Sequence, residues 1–225
     1  WTTTGTVPNV KLAYSTNGGT TFPNVIVATV ANTNSYSWLI PDAPSTTARV
    51  RLEDVNDSTV YDDSNANFSL QGNFTITSPN GAEVWTVAEV RNITWSWGGT
   101  IPNVKLTYST NSGSTYLNTI SLSAPNGAGS SGGFSYAWTI PDAISTTVWV
   151  KIEDPLDAAV SDTYNADFKI QGKLVLTAPN GDPDGAGPLT AERWVTNEVK
   201  NIAWSTTGTI ANVKLEYSTA GGVTY

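Results

Sequence analysis

The chain repeats its own sequence with a period near 100 residues, and this feature constrains the fold more than any other. Residues 1–12 return as residues 95–106 and again as residues 204–215. A second block, residues 35–72, returns 100 residues later as residues 135–172. Such a period is too long for a solenoid unit and fits a self-contained module of ordinary domain size.

Within the full repeat, residues 73–172, seven short runs have the composition of β-strands and are separated by turn residues. The predicted strands are 74–77, 91–97, 104–109, 119–123, 134–140, 147–153 and 166–170. Apolar and polar residues alternate within them, as at Val104, Leu106 and Tyr108, and the same alternation recurs at Val213, Leu215 and Tyr217. Seven strands in about 100 residues predict an all-β fold of tandem immunoglobulin-like β-sandwich modules.

The repeat boundaries predict three modules. Residues 1–72 form a module that lacks its first strands, residues 73–172 form a complete module, and residues 173–225 form the N-terminal part of a third. Only Gln71-Gly72 and Gln171-Gly172 separate the last strand of one module from the first strand of the next. Because such short connections leave little freedom to swing, we expect a stiff, rod-like array.

Two interpretations of the incomplete modules remain open. The chain is either a slice of a longer tandem array or a strand-exchanging subunit. In the second case residues 173–203 of one copy supply the strands that residues 1–72 of the next copy lack, and the copies build a fibre.

Composition excludes several classes of function. The 225 residues contain no Cys and no His, so disulfides, thiolate zinc sites and Ser-His-Asp triads are excluded. A net charge of −8 argues against nucleic acid as a partner. No apolar run approaches the length of about 18 residues that spans a membrane, so we expect no membrane insertion of this segment. We also expect no enzymatic activity, because the acidic residues lie in repeated turns without a module-specific pair.

Ten of the 19 acidic residues fall in two equivalent segments, at 53–63 and 153–167. Calcium binds several oxygens from closely spaced carboxylates, and in a sandwich this hairpin faces the preceding module. The candidate calcium ligands are Glu53, Asp54, Asp57, Asp62, Glu153, Asp154, Asp157 and Asp162. The alternative is that Asp and Asn serve these turns by capping the local backbone. No cofactor other than calcium is expected.

Seven of the nine Trp residues occupy recurring positions, which is what core packing predicts. The recurring residues are Trp1, Trp38, Trp85, Trp95, Trp138, Trp194 and Trp204. Trp97 and Trp149 occur only in the second module, where Trp97 lies on the inward phase and is expected to fill extra core. Trp149 lies on the outward phase and is a candidate contact for sugar or for a neighbouring filament. A single exposed aromatic residue, however, needs no functional explanation.

The motifs of the second module resemble one known type of repeat. Residues 77–85 read Thr-Ser-Pro-Asn-Gly-Ala-Glu-Val-Trp, residues 92–95 read Asn-Ile-Thr-Trp, and residues 104–109 read Val-Lys-Leu-Thr-Tyr-Ser. Together with residues 136–141 and 150–154, they are similar to Ig-like repeats of large bacterial surface and secreted proteins. Those repeats in turn resemble the N-terminal domain of the Ser-Thr-rich, GPI-anchored yeast cell-wall family. Ala82 departs from the Pro-Asn-Gly-Gly-Glu turn of such repeats.

The resemblance implies a function that is structural and extracellular, because such repeats act as spacers or adhesive stalks. The expected protein is a bacterial filament, stalk or adhesin at the cell surface. Its expected partners are neighbouring modules or other copies of the same protein in a fibre, with surface glycans as a further class of ligand. The alternative function is a carbohydrate-binding module array, which would need several exposed coplanar aromatic residues per module. The sequence offers Trp149 alone.

Overall fold

The alternating segments of the chain pair into antiparallel β-sheets. The structure is a computed structural model and describes residues 1–129, 131–164, 166–180 and 194–219. These described ranges contain sixteen β-strands and no helix. The all-β class predicted from the alternation is therefore confirmed.

Residues 1–72 form one five-stranded sheet. Its strands are β1 (Asn9–Ser15), β2 (Asn24–Ala31), β3 (Ser45–Asp54), β4 (Tyr61–Asp63) and β5 (Phe68–Leu70). The order is β2-β1-β3-β4, and β5 also pairs with β3. Its small core consists of Tyr14, Ala48 and Leu70, against which Trp38 and Phe68 pack only partly buried. One face of this sheet is thus incompletely covered.

Residues 73–172 form two sheets. The strands are β6 (Asn73–Ser78), β7 (Val84–Thr86), β8 (Val90–Gly98), β9 (Asn103–Ser109), β10 (Asn118–Pro125), β11 (Ser131–Thr139), β12 (Ser145–Asp154), β13 (Asp157–Thr163) and β14 (Phe168–Gln171). One sheet has the order β11-β8-β6, and the other has the order β10-β9-β12-β14-β7 with β13 paired to β12. The only parallel pair among the described strands is β7 with β14.

The two sheets of residues 73–172 share one apolar core, so this part of the chain is sandwich-like. Trp95 on β8 belongs to the same buried cluster as Leu106 on β9 and Val150 on β12. Trp85 lies between Trp138 and Phe168, with ring centroids 6.0 and 4.9 Å away. Offset and edge-to-face rings at such distances stabilise a core beyond their area alone.

The seven strands predicted for residues 73–172 are all present, and two further strands, β7 and β13, were not predicted. Trp97 is buried in the core, as its inward phase predicts. With three residues, β7 is too short to show an alternating period. The acidic sequence of β13 is typical of a turn, so it does not predict a strand. The strand forms because β13 pairs with β12.

Beyond residue 172 the structure describes a two-stranded ribbon, β15 (Lys173–Ala178) and β16 (Ala203–Thr207). The prediction of a strand through Val213, Leu215 and Tyr217 is wrong, because residues 208–219 form none. The equivalent strand β9 is held between β10 and β12, and residues 173–225 contain no counterpart of β12. Alternation alone does not make a strand without a partner.

A buried amide holds the end of β8 in the complete repeat. The indole N–H of Trp95 donates to Asn126 Oδ1 at 2.6 Å, and Asn126 Nδ2 donates to the carbonyl of Ile101 at 2.8 Å. In the first repeat the indole of Trp1 makes the same bond to Asn32, which is only partly buried. The Trp–Asn hydrogen bond therefore recurs in both repeats, where it fastens the loop that precedes β1 or its equivalent β9.

Replacing Asn126 with Ala should lower the free energy of unfolding by about 1–3 kcal/mol, because it leaves the Trp95 N–H and the Ile101 carbonyl buried without partners. Urea denaturation measures the free energy of unfolding of each variant, and hydrogen exchange of the amides of β8 and β9 shows whether the loss lies in these strands. The matched control is Asn32→Ala, where water can reach the vacated site and the loss should be smaller. Equal losses for the two variants would contradict the role given to burial.

Candidate functional site at the joint between repeats

A carboxylate in one repeat caps a turn of the next repeat, and this contact occurs twice. Asp42 accepts hydrogen bonds from the backbone N–H of Thr100, at 2.8 Å, and from the Thr100 hydroxyl. Asp142 accepts the same two bonds from Thr209, with the backbone bond at 2.9 Å. Both carboxylates follow a Pro in equivalent Ile-Pro-Asp-Ala loops. The two joints are therefore made by the same chemistry.

Each joint also brings two backbones into contact at a glycine. A Cβ on Gly72 would lie 2.6 Å from the carbonyl oxygen of Gly98, and a Cβ on Gly172 would lie 2.7 Å from that of Thr207. Carbon and oxygen atoms do not approach so closely without a bond, and the obstacle is backbone, which cannot rotate away. Glycine is thus required at both positions for the successive repeats to meet.

The acidic hairpin of the second repeat faces the first repeat, as the sequence predicts. Gln71 Nε2 donates to Asp157 Oδ2 at 3.0 Å. Gln71, Asp154 and Asp157 line a cavity of about 280 Å³ beside Gly72 and Thr100. The hairpin thereby adds a third polar contact to the first joint.

Two of the eight candidate calcium ligands are glutamates paired with lysines. Glu153 receives Lys105 Nζ at 2.6 Å and Lys151 Nζ at 2.5 Å, and Glu53 receives Lys11 at 3.4 Å. Burial raises the pKa of Glu153, but the hydrogen bonds and charges of its two lysines outweigh burial and hold its pKa below the ordinary value. The Glu153 carboxylate is therefore anionic, and its charge is neutralised by Lys105 and Lys151 of the same repeat.

The aspartates of the same set mostly bond backbone N–H groups. Asp54, Asp57, Asp154 and Asp157 each accept a bond from the residue two positions later, at 2.9, 2.9, 2.9 and 3.0 Å. Asp162 accepts the N–H of Ile76 at 2.7 Å, and Asp62 lies on β4 opposite Leu52. These bonds are those expected of turn-capping aspartates. In the described ranges no group of three or more acidic side chains is arranged to hold a metal ion, and calcium binding stays a prediction.

Trp149 lies on β12 over the turn at Gly113. Its indole N–H donates to Asp167 Oδ1 at 2.7 Å, and its side chain is half-buried. The ring thus has a packing role within its own repeat. A contact with sugar or with a neighbouring filament stays a prediction.

Sequence reasoning named the connecting glycines but missed the Asp–Thr pairs that fasten the joints, Asp42 with Thr100 and Asp142 with Thr209. A signal for them was present, because Ile-Pro-Asp-Ala recurs at 40–43 and 140–143, while Gly-Thr recurs at 99–100 and 208–209. Recurrence cannot by itself show that a carboxylate of one repeat bonds a turn of the next. That pairing emerges only from the fold.

No family model matches this chain, and no curated protein matches it. Among the residues that the structure describes, none forms a helix of the length and hydrophobicity needed to cross a membrane. The arrangement at the joints is therefore the principal observation from which a function can be argued.

The second joint should loosen in acid. The hydroxyl of Thr209, followed by its backbone N–H, lowers the pKa of Asp142 below the ordinary value of 3.8. A lowered pKa means that the contact is at full strength above the ordinary value and is lost as the pH falls through the lower value of the joined state. Protection of the Thr209 amide, followed by NMR from about pH 6 to pH 2, should fall in this range. In Asp142→Asn this pH-dependent loss of protection should disappear. If the protection of the Thr209 amide in the unmodified chain did not change with pH, the role given to Asp142 would be contradicted.

Proposed function

We propose that this chain is a non-catalytic structural repeat segment of an extracellular filament, stalk or adhesin. The observation that carries the proposal is the joint made twice in the same way, by Asp42 with Thr100 and by Asp142 with Thr209. A joint that is made in the same way each time adds every new repeat in the same orientation. This is what a protein needs if its function is to hold two attached structures at a set distance.

The contacts at the joint act against swinging. A carboxylate that bonds both a backbone N–H and a hydroxyl restrains a turn in two directions, and the glycine contact brings the backbones together without an intervening side chain. Interfaces between modules of one chain otherwise permit relative motion by default. The repeated contacts thus support a spacer of defined length.

The pairing of β7 with β14 supports a load-bearing role. These strands lie near the start and at the end of the complete repeat and run parallel, with Ile170 opposite Trp85. Tension applied to the two ends of the repeat therefore slides the strands along each other. Their hydrogen bonds are then strained together instead of opening one at a time.

The composition of the chain also supports an inert role. The chain carries no Cys or His, so it offers no thiol to oxidise and no side chain whose ordinary titration lies near neutral pH. The resemblance of its motifs to repeats of bacterial surface proteins adds the proposal that it works outside the cell.

The proposal is tested by the width of a distance distribution across the joint. Because the chain has no Cys, nitroxide labels can be placed at Thr29→Cys on β2 and Thr119→Cys on β10, both exposed and on opposite sides of the first joint. Pulsed electron paramagnetic resonance should give a single narrow distribution. Gly72→Ala should broaden or shift it, because the added Cβ cannot be accommodated.

The matched control is Gly133→Ala, whose Cβ would meet no atom closer than the Trp95 carbonyl oxygen at 3.8 Å. The control should keep the narrow distribution. A broad distribution in the unmodified chain, or an unchanged one in Gly72→Ala, would contradict a fixed joint.

A further inference from the structure

A completely buried asparagine of the second repeat is followed directly by a glycine. Asn126 is 0% exposed, and Gly127 comes next in the loop after β10. Gly127 adopts a φ of +81°, and a Cβ at this position would lie 2.9 Å from the ring of Trp97. Both the backbone conformation and the packing therefore require glycine at position 127.

An Asn–Gly sequence is chemically labile in a flexible chain. The backbone nitrogen of the glycine, once it has lost its proton, attacks Cγ of the asparagine and forms a C–N bond. The side-chain nitrogen takes up a proton and leaves as ammonia. Water then opens the cyclic imide at one of its two carbonyls, which gives either Asp or an isoaspartate with an added backbone methylene. Glycine favours the attack because it has no side chain to obstruct the ring and restricts the backbone least.

The fold holds Asn126 away from this reaction. Its Oδ1 accepts the indole N–H of Trp95 at 2.6 Å, and its Nδ2 donates to the carbonyl of Ile101 at 2.8 Å. Its backbone N–H donates to the carbonyl of Pro102 at 3.0 Å. The side-chain amide is thus fixed at both ends and is not free to turn toward the nitrogen of Gly127. Its burial also excludes the base and the water that the reaction needs.

The products of the reaction do not fit the same place. A carboxylate at position 126 would put an oxygen where Nδ2 now donates to the Ile101 carbonyl, so two acceptors would face each other. Burying a charge without a partner is costly. The isoaspartate would lengthen the backbone where Gly127 already lies against Trp97. Neither product restores the hydrogen bonds that fasten this loop.

We propose that Asn126–Gly127 is a deamidation site that becomes reactive only when the complete repeat unfolds, and that its modification prevents the repeat from refolding. The folded repeat protects the asparagine, and the unfolded repeat leaves it flexible beside the glycine. Chemical modification of the unfolded state makes unfolding irreversible. The inference goes beyond the proposed structural function, because the reaction follows from unfolding whatever its cause.

The first repeat provides an exposed Asn–Gly pair for comparison. Asn17 precedes Gly18, its side chain is exposed, and its Nδ2 donates to the hydroxyl of Thr21 at 2.9 Å. A hydroxyl donates as well as accepts, so it would turn and donate to a carboxylate at position 17. Opening of an exposed turn costs far less than global unfolding. Deamidation at Asn17 therefore needs no unfolding of the repeat and is compatible with the fold.

The first repeat also contains the equivalent of Asn126 without the labile sequence. Asn32 accepts the indole N–H of Trp1 at 2.7 Å, and the next residue is Thr33. The branched side chain of threonine is stiff and obstructs the attack on Cγ. The same hydrogen bond thus occurs once with glycine after the asparagine and once with threonine, and only the pair with glycine should react readily.

Timed exposure to denaturant tests the site in the 225-residue chain. The chain is held in alkaline buffer with or without guanidinium chloride, and samples are then returned to neutral buffer. Hydrogen exchange of the amides of β8 and β9 measures the refolded fraction, and mass spectrometry of peptides measures deamidation at each asparagine. In denaturant, the refolded fraction should fall with the same time course as intact Asn126, while Asn32 reacts more slowly. Without denaturant, Asn126 should stay intact while Asn17 deamidates.

Substitution tests the consequence of the modification separately. Asn126→Asp creates one of the two products, and it should lower the midpoint of urea denaturation of residues 73–172 or prevent their folding. The matched control is Asn17→Asp, which should leave the midpoint unchanged because the Thr21 hydroxyl adapts. The timed exposure needs no variant, so it tests the proposal even where Asn126→Asp does not fold.

Deamidation of Asn126 in the folded chain as fast as that of Asn17 would overturn the proposed protection. A refolded fraction that stays constant while Asn126 is lost would overturn the proposed block to refolding, and so would a refolded fraction that falls while Asn126 stays intact. An Asn126→Asp chain as stable as the unmodified chain would overturn it as well.

Discussion

The structure depends on the burial of one Trp-rich apolar face between two sheets. In residues 73–172 both sheets are present, and Trp85, Trp95 and Trp138 are buried together. Residues 1–72 contribute one sheet of the same design and the ribbon β15–β16 contributes strands of the other, so each exposes what the complete repeat hides. Because apolar area removed from water is the main stabilising term, the closed core of residues 73–172 is the part of the chain that this term stabilises most.

The second joint depends on that closed core, because the end of the core positions the groups that meet the next repeat. Asp142 lies in the loop after β11, and Gly172 follows β14 directly, so packing of the two sheets sets the place of both. The polar groups of the surface are used internally as well, as Glu153 shows with its two lysines. Taken together, the charged and polar residues fasten turns, strands and repeats to one another.

Much of this fold follows from the sequence, since the alternation of apolar residues and the repeat predict the seven strands and the inward position of Trp97. Pairing is a tertiary property that alternation does not contain, and for this reason the three-residue β7 was missed and a strand through Leu215 was wrongly predicted. The joint was harder still to predict. The recurrence of Asp42 and Asp142 is visible, but their partners Thr100 and Thr209 lie 58 and 67 residues away in sequence and are identified only by the fold.

The measurement that most directly tests the load-bearing account is single-molecule pulling on the two ends of the 225-residue chain. The complete repeat should resist and then yield in one discrete event, because tension shears β7 against β14. The hundred residues of the repeat span about 350 Å when extended, and the event should lengthen the chain by this length minus the end-to-end distance of the folded repeat. Smooth extension without a discrete event, or several short steps within the same length, would contradict the account.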